Sequence, residues 1–153
     1  MPWRKMLAPV FLCIILSISV VHAQTFQAVL TEGGKSGKSV PIVGLGVFSL
    51  DKITPALPYS IQFRSDMFFG QHVAVYAGSI KKPGPAIFIL QGQASQSPVE
   101  GSFTPSLLIP APDYGINTWE DAIAAMWTGK TFLKIDTPHD ADNVSGKITV
   151  VRR

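Results

Sequence analysis

The chain has 153 residues, 13 basic and 10 acidic, with a formal charge of +3 and a hydrophobic content of 46%. That length fits one domain with a sizeable core. The basic excess forms no stripe, because Lys81-Lys82 and Arg152-Arg153 are isolated pairs, so a nucleic-acid partner is not expected.

Residues 1–23 have the three parts of a secretory signal. Arg4 and Lys5 supply the basic start, Met6 to Val21 is apolar, and Val21-His22-Ala23 makes a cleavage motif before Gln24. The apolar run is short of the ~20 residues that a spanning helix needs. Cys13 lies inside that run behind bulky Leu12, which argues against a lipoprotein site. The expected product is residues 24–153, secreted, extracellular and free of the membrane after cleavage. Cleavage removes Arg4 and Lys5, so 13 − 2 leaves 11 basic residues against 10 acidic ones and a formal charge of +1. It also removes the only cysteine, so no disulfide is expected and stability falls to core packing.

The rest of the chain reads as short strands. Thr25 to Leu30 is the first, followed by the polar loop Gly33-Gly34-Lys35-Ser36-Gly37-Lys38-Ser39 and a second strand from Pro41 to Leu50. In that second run Val43, Leu45, Val47 and Ser49 are expected on one face and Ile42, Gly44, Gly46, Phe48 and Leu50 on the other. Leu57 to Arg64 alternates cleanly, with Leu57, Tyr59, Ile61 and Phe63 on one side. His72 to Tyr76, Ala86 to Gln91 and Gly101 to Leu108 follow between Gly and Pro breaks. Pro110 to Gly115 is irregular. The period then becomes helical over 118–128: Thr118 is a good N-cap, Glu120 and Asp121 fall in the first turn, and Gly129 suits the residue that ends a helix. Phe132 to Asp136 and Lys147 to Val151 complete the set around a turn-rich loop. Many short antiparallel strands with one late helix predict an all-β sandwich.

The glycine-lysine loop is not a nucleotide site. A phosphate-binding loop needs glycine five positions before Gly37, where Glu32 stands, and it needs a helix afterwards, where Pro41 opens a β pattern. It reads as a connection between the first two strands.

The order of segments resembles the CHRD family, the module repeated in chordin and found singly in secreted proteins. Phe26-Gln27-Ala28-Val29-Leu30 matches that family's opening Phe-x-Ala-x-Leu strand, and Val40-Pro41-Ile42-Val43 with Gly44 to Leu50 matches its Val-Pro-x-Val segment and glycine-containing strand. The helix and closing strands from Trp119 to Val150 match its later half. The resemblance implies an antiparallel Greek-key β-sandwich of the immunoglobulin-like or copper-zinc superoxide dismutase kind. It also implies binding of an extracellular protein or matrix component. The family's His-x-His pair is reduced to His72 with Ala74, and Asp136 stands where a later histidine is expected.

His72, Asp136 and His139 are therefore the weak metal candidates. Two histidines without a thiol fall short of the three or four ligands that a transition metal normally takes. A hydrogen-bonded His72–Asp136 pair that orders a sheet is the plainer expectation. The acidic loop 136–143 does not fit an EF-hand, which needs a carboxylate or amide where Val144 stands and a Glu near position 151, also Val. It reads as a solvated turn. Asn143-Val144-Ser145 is an N-glycosylation sequon, making Asn143 a candidate in an expected exposed loop. There is no Gly-x-Ser-x-Gly elbow and no triad, so no catalytic residue and no cofactor are assigned and the chain reads as a non-enzymatic binding module. Trp119 and Trp127 share helical spacing with Ile123, which predicts core packing over a ligand face. Phe68-Phe69 is a candidate contact patch if exposed.

Overall fold

The computed structural model describes residues 23–32, 40–51, 53–64, 72–90, 97–136 and 144–152. Eight strands and one helix follow in chain order: β1 (Gln24–Glu32), β2 (Ile42–Leu50), β3 (Leu57–Phe63), β4 (Val73–Ser79), β5 (Lys82–Ile89), β6 (Val99–Phe103), α1 (Trp119–Trp127), β7 (Thr131–Ile135) and β8 (Val144–Val150). All eight strands join one sheet in the order β5-β4-β7-β8-β1-β2-β3-β6, and each neighbouring pair is antiparallel. The all-β antiparallel class and the single short helix match the sequence expectation.

Four strands depart from it. In β2 the even alternation fails, because Leu30 pairs with Gly44 while Thr31 pairs with Ile42, leaving Val43 as an extra, unpaired residue. This bulge resets the pleat, so Val43 is buried on one side of it and Gly46 and Phe48 on the other, while Leu45 turns outward. The fifth strand starts at Lys82 rather than Ala86 and runs through Pro83-Gly84-Pro85, which looks like a break in sequence. Proline is tolerated there because β5 is an edge strand and needs no donor on its free side. The sixth strand stops at Phe103 rather than Leu108, since Pro105 starts a 3-10 turn closed by Leu107 N donating to Thr104 O at 3.0 Å and Leu108 N to Pro105 O at 3.2 Å. The last strand begins at Val144, three residues earlier than its pattern indicated.

The sheet curls back on itself. Seven strand spacings separate β5 from β6, roughly 33 Å in a flat sheet. Yet Phe88 of β5 stacks on Phe103 of β6 with ring centroids 4.7 Å apart and planes at 16°. Beyond β6 the chain also reaches the β5 edge, where Ile109 N donates to Ile87 O at 2.8 Å. Across the interior, a Cβ at Gly46 of β2 would lie 2.6 Å from a Leu133 methyl of β7, although two strands separate β2 from β7 in the sheet. The enclosed space is filled by Phe26, Leu30, Phe48, Ile61, Val75, Phe88, Phe103, Leu133 and Ile148, all buried. Each such side chain contributes about 1.5–3 kcal/mol when fully buried. No cysteine follows Cys13, so packing is what holds the curl.

Candidate functional site

The pairing of β4 with β7 places His72 opposite Asp136, and the bond between them is between backbones. Asp136 N donates to His72 O at 2.9 Å, continuing the β4–β7 ladder by one step. The carboxylate itself is engaged elsewhere on that face: Lys134 Nζ lies 2.6 Å from Oδ1, and the Tyr76 hydroxyl donates to Oδ2 at 3.3 Å. The Lys134 ammonium also sits 5.7 Å from the Tyr76 ring centroid, and that ring stacks on Phe132 at 5.4 Å and 18°. Burial, and after it the adjacent Asp136, pushes the Tyr76 phenol above the usual tyrosine range. Among the described residues no group of three or more His, Cys, Asp and Glu side chains is gathered closely enough to hold a metal ion. The cluster is a half-exposed ion pair braced by a phenol, and pairs of this kind contribute at most about 1 kcal/mol. His139, Asn143 and Phe68-Phe69 lie outside the described residues, while Val144 and Ser145 of the sequon open β8 and are buried.

The second site grows from the helix. Thr118 and Asp121 make a full capping box: Asp121 N donates to Thr118 Oγ1 at 3.2 Å, and Thr118 N to Asp121 Oδ2 at 3.0 Å. Asn117 N adds a third bond at 2.9 Å, and these backbone donors, Asn117 first, hold the Asp121 carboxyl below its usual range. Gly129 ends the helix at φ +66°, in the left-handed region that favours glycine. With both ends fixed, the two helix tryptophans part company. Trp119 is 9% exposed and meets Phe88 edge-on at 5.8 Å. Trp127 meets Phe26 edge-on at 5.7 Å and 84°, yet 47% of it faces solvent. Core packing, predicted for both, holds in full for Trp119 and in part for Trp127, which rests one ring edge on the core and leaves the other side in solvent.

Trp127 stands between two depressions. Toward the β2–β3 turn, a groove of about 440 Å³ is lined by Leu50, Ile53, Pro55, Trp119 and Ile123, with Asp51 and Glu120 supplying negative charge. The turn is held by Asp51 Oδ1, which accepts from Ile53 N at 2.8 Å, and by the bridge from Asp51 to Ala56. Those contacts, from Ile53 and then Thr54, hold the Asp51 carboxyl low, and they present Ile53 at 80% exposure. On the other side of Trp127, a cleft of about 580 Å³ is lined by Gln24, Gly129, Lys147, Thr149 and Arg152, with no acidic side chain among the described residues of its wall. A lone isoleucine such as Ile53 carries no signal in sequence, and Arg152 is there only one of an isolated pair. Only the meeting of the helix end with β8 makes either one part of a surface.

These features define an all-β protein: one curled antiparallel sheet with a capped helix across its end and an exposed indole at the junction. Comparison with protein-family models, curated proteins and solved structures finds no match.

Proposed function

We propose that this chain is a secreted, CHRD-like, non-enzymatic module that binds an extracellular protein or matrix component with the helix end of its sheet. The observation that carries the reading is the exposed apolar pair Ile53 and Trp127 beside the groove at α1. Such a pair is positioned at some cost in exposed apolar surface, and binding recovers it. The signal pattern of residues 1–23 and the segment order from Phe26 to Val150 support the extracellular setting and the family. For the finer architecture we propose the Greek-key sandwich of the copper-zinc superoxide dismutase kind. Its support is that β3 to β4 and β6 to β7 both leap across other strands, while the two edge strands meet through Phe88 and Phe103.

The test compares the immobilised wild-type protein with Ile53→Asp for retention of components from the extracellular fluid of its source. Ile53 is exposed, so the substitution should change stability by no more than about 0.5 kcal/mol. A species retained by the wild type and lost by the variant, with unchanged thermal melting, supports the reading. Equal retention, or none by either, refutes it. A second reading, a degenerate dismutase-like metal protein, draws on the alignment of His72 with Asp136 across β4 and β7. Stoichiometric copper or zinc in the purified protein, lost in His72→Ala, would favour it instead.

A further inference from the structure

We propose that the cleft between Trp127 and the end of β8 binds an acidic polysaccharide, with one sugar ring on the indole and its anionic groups on Lys147 and Arg152. This rests on the extracellular reading above and adds a second ligand, at a cleft separate from the Ile53 groove. Three features of the cleft point the same way. The first is the indole, which is held edge-on against the fully buried Phe26 and so offers a platform that needs no ordering on binding. The C–H face of a pyranose carries slight positive charge, and it packs against the negative face of an aromatic ring.

The second feature is charge. Among the described residues, Lys147 and Arg152 line the cleft without a carboxylate side chain beside them, while Asp51 and Glu120 lie in the groove on the other side of Trp127. A polyanion is thereby directed to one side of the indole. The Lys147 stem lies against Gly129, where a Cβ would fall 2.7 Å from its Cε and 3.1 Å from its Nζ, so packing places the ammonium at the cleft wall. A lysine at a helix C-terminus also steadies the helix dipole. That role accounts for part of Lys147, but here the last carbonyls already have partners: Thr128 N and Oγ1 on Ala124 O, Gly129 N on Met126 O, and Lys130 N on Ala125 O. It accounts for nothing in Arg152.

The third feature is the remaining lining, the Gln24 amide and the Thr149 hydroxyl, which suits sugar hydroxyls better than apolar side chains. The volume of about 580 Å³ falls within the range of ligand sites, about 300–1,000 Å³. A small inorganic anion would leave the indole unused. A nucleic acid strand would need a longer basic track than two residues in a chain whose expected mature charge is +1, from 11 basic and 10 acidic residues.

The experiment titrates the protein with a sulfated, uronate-containing tetrasaccharide and follows tryptophan emission. The comparison probes are a neutral glucan tetrasaccharide, inorganic sulfate, polyglutamate and a single-stranded oligonucleotide. The sulfated sugar should saturate the protein, perturb Trp127 emission and weaken as salt rises. Arg152→Glu should reduce its affinity by about tenfold or more, as loss of a charge-assisted bond implies, with thermal melting unchanged because Arg152 is exposed. Trp127→Phe should abolish the emission change. The proposal is overturned if the sulfated sugar fails to saturate at millimolar concentration, if Arg152→Glu binds it as well as wild type, or if polyglutamate, sulfate or the oligonucleotide binds equally tightly. Ile53→Asp should keep this binding. Loss of the sugar result with persistence of Ile53-dependent retention would remove the polysaccharide and leave the broader binding function standing.

Discussion

Phe88 and Phe103 sit on the two edge strands of the sheet, and their contact can be measured in solution. Phe88 touches two rings, Phe103 at 4.7 Å and Trp119 at 5.8 Å; Phe103 touches Phe88 and also Tyr59 at 4.6 Å. Phe88→Leu or Phe103→Leu keeps most of the apolar volume and removes two ring pairs. At about 0.5–1.5 kcal/mol per pair, each single variant should lose about 1–3 kcal/mol. The double variant loses three pairs rather than four, because the Phe88–Phe103 pair is shared. Its destabilisation should therefore fall short of the sum of the singles by one pair, about 0.5–1.5 kcal/mol. Urea unfolding of the four proteins gives the numbers, with unchanged denaturant slopes showing that the unfolded states are comparable. Additivity to within about 0.3 kcal/mol would mean that the two rings do not touch, and the sheet would not close as described.

Two further outcomes follow from local geometry. A Cβ at Gly146 of β8 would overlap the Val29 carbonyl of β1; Gly146→Ala should therefore push two paired strands apart and cost about 1–3 kcal/mol in urea unfolding, and a neutral result would contradict that register. The raised Tyr76 phenol carries a sign that can be checked. A group whose folded pKa lies above its unfolded value, about 10 for tyrosine, adds stability that is complete below that value and is lost as pH rises through the folded pKa. Asp136→Asn removes the lesser causes and leaves burial, so phenolate absorbance should appear at lower pH than in wild type while Tyr76 stays above the ordinary range; no shift, or an upward one, would remove the Tyr76–Asp136 contact.

The helix was legible because its signals are local. Thr118, Asp121 and Gly129 act within a turn of their own positions, and the structure keeps all three in the roles their types imply. Leu57 to Phe63 was equally legible, since one strand's alternation needs no knowledge of its neighbours. The bulge at Val43 was not, because an unpaired residue exists only relative to the partner strand that skips it. The prolines of β5 misled for a related reason: proline breaks a central strand and is harmless at an edge, and edge position is a property of the whole sheet. At the candidate sites the same division holds. The facing of His72 and Asp136 needs β4 and β7 side by side, and the partners of the carboxylate, Lys134 and Tyr76, need the same pairing, which no strand's own pattern contains.

By itself, then, the sequence determined the class of this protein: an antiparallel β chain without a disulfide after Cys13, interrupted by one capped helix between Thr118 and Gly129. Period, capping and turn chemistry act over a few residues, and those forces are written in the order of the residues. Tertiary structure alone decided which strands are edges, how far the sheet curls, and that Trp127 stays in solvent while Trp119 is buried. Those outcomes turn on contacts between residues far apart in the chain, such as Phe88 with Phe103 and Trp127 with Phe26, and nothing in the neighbourhood of either partner announces the other.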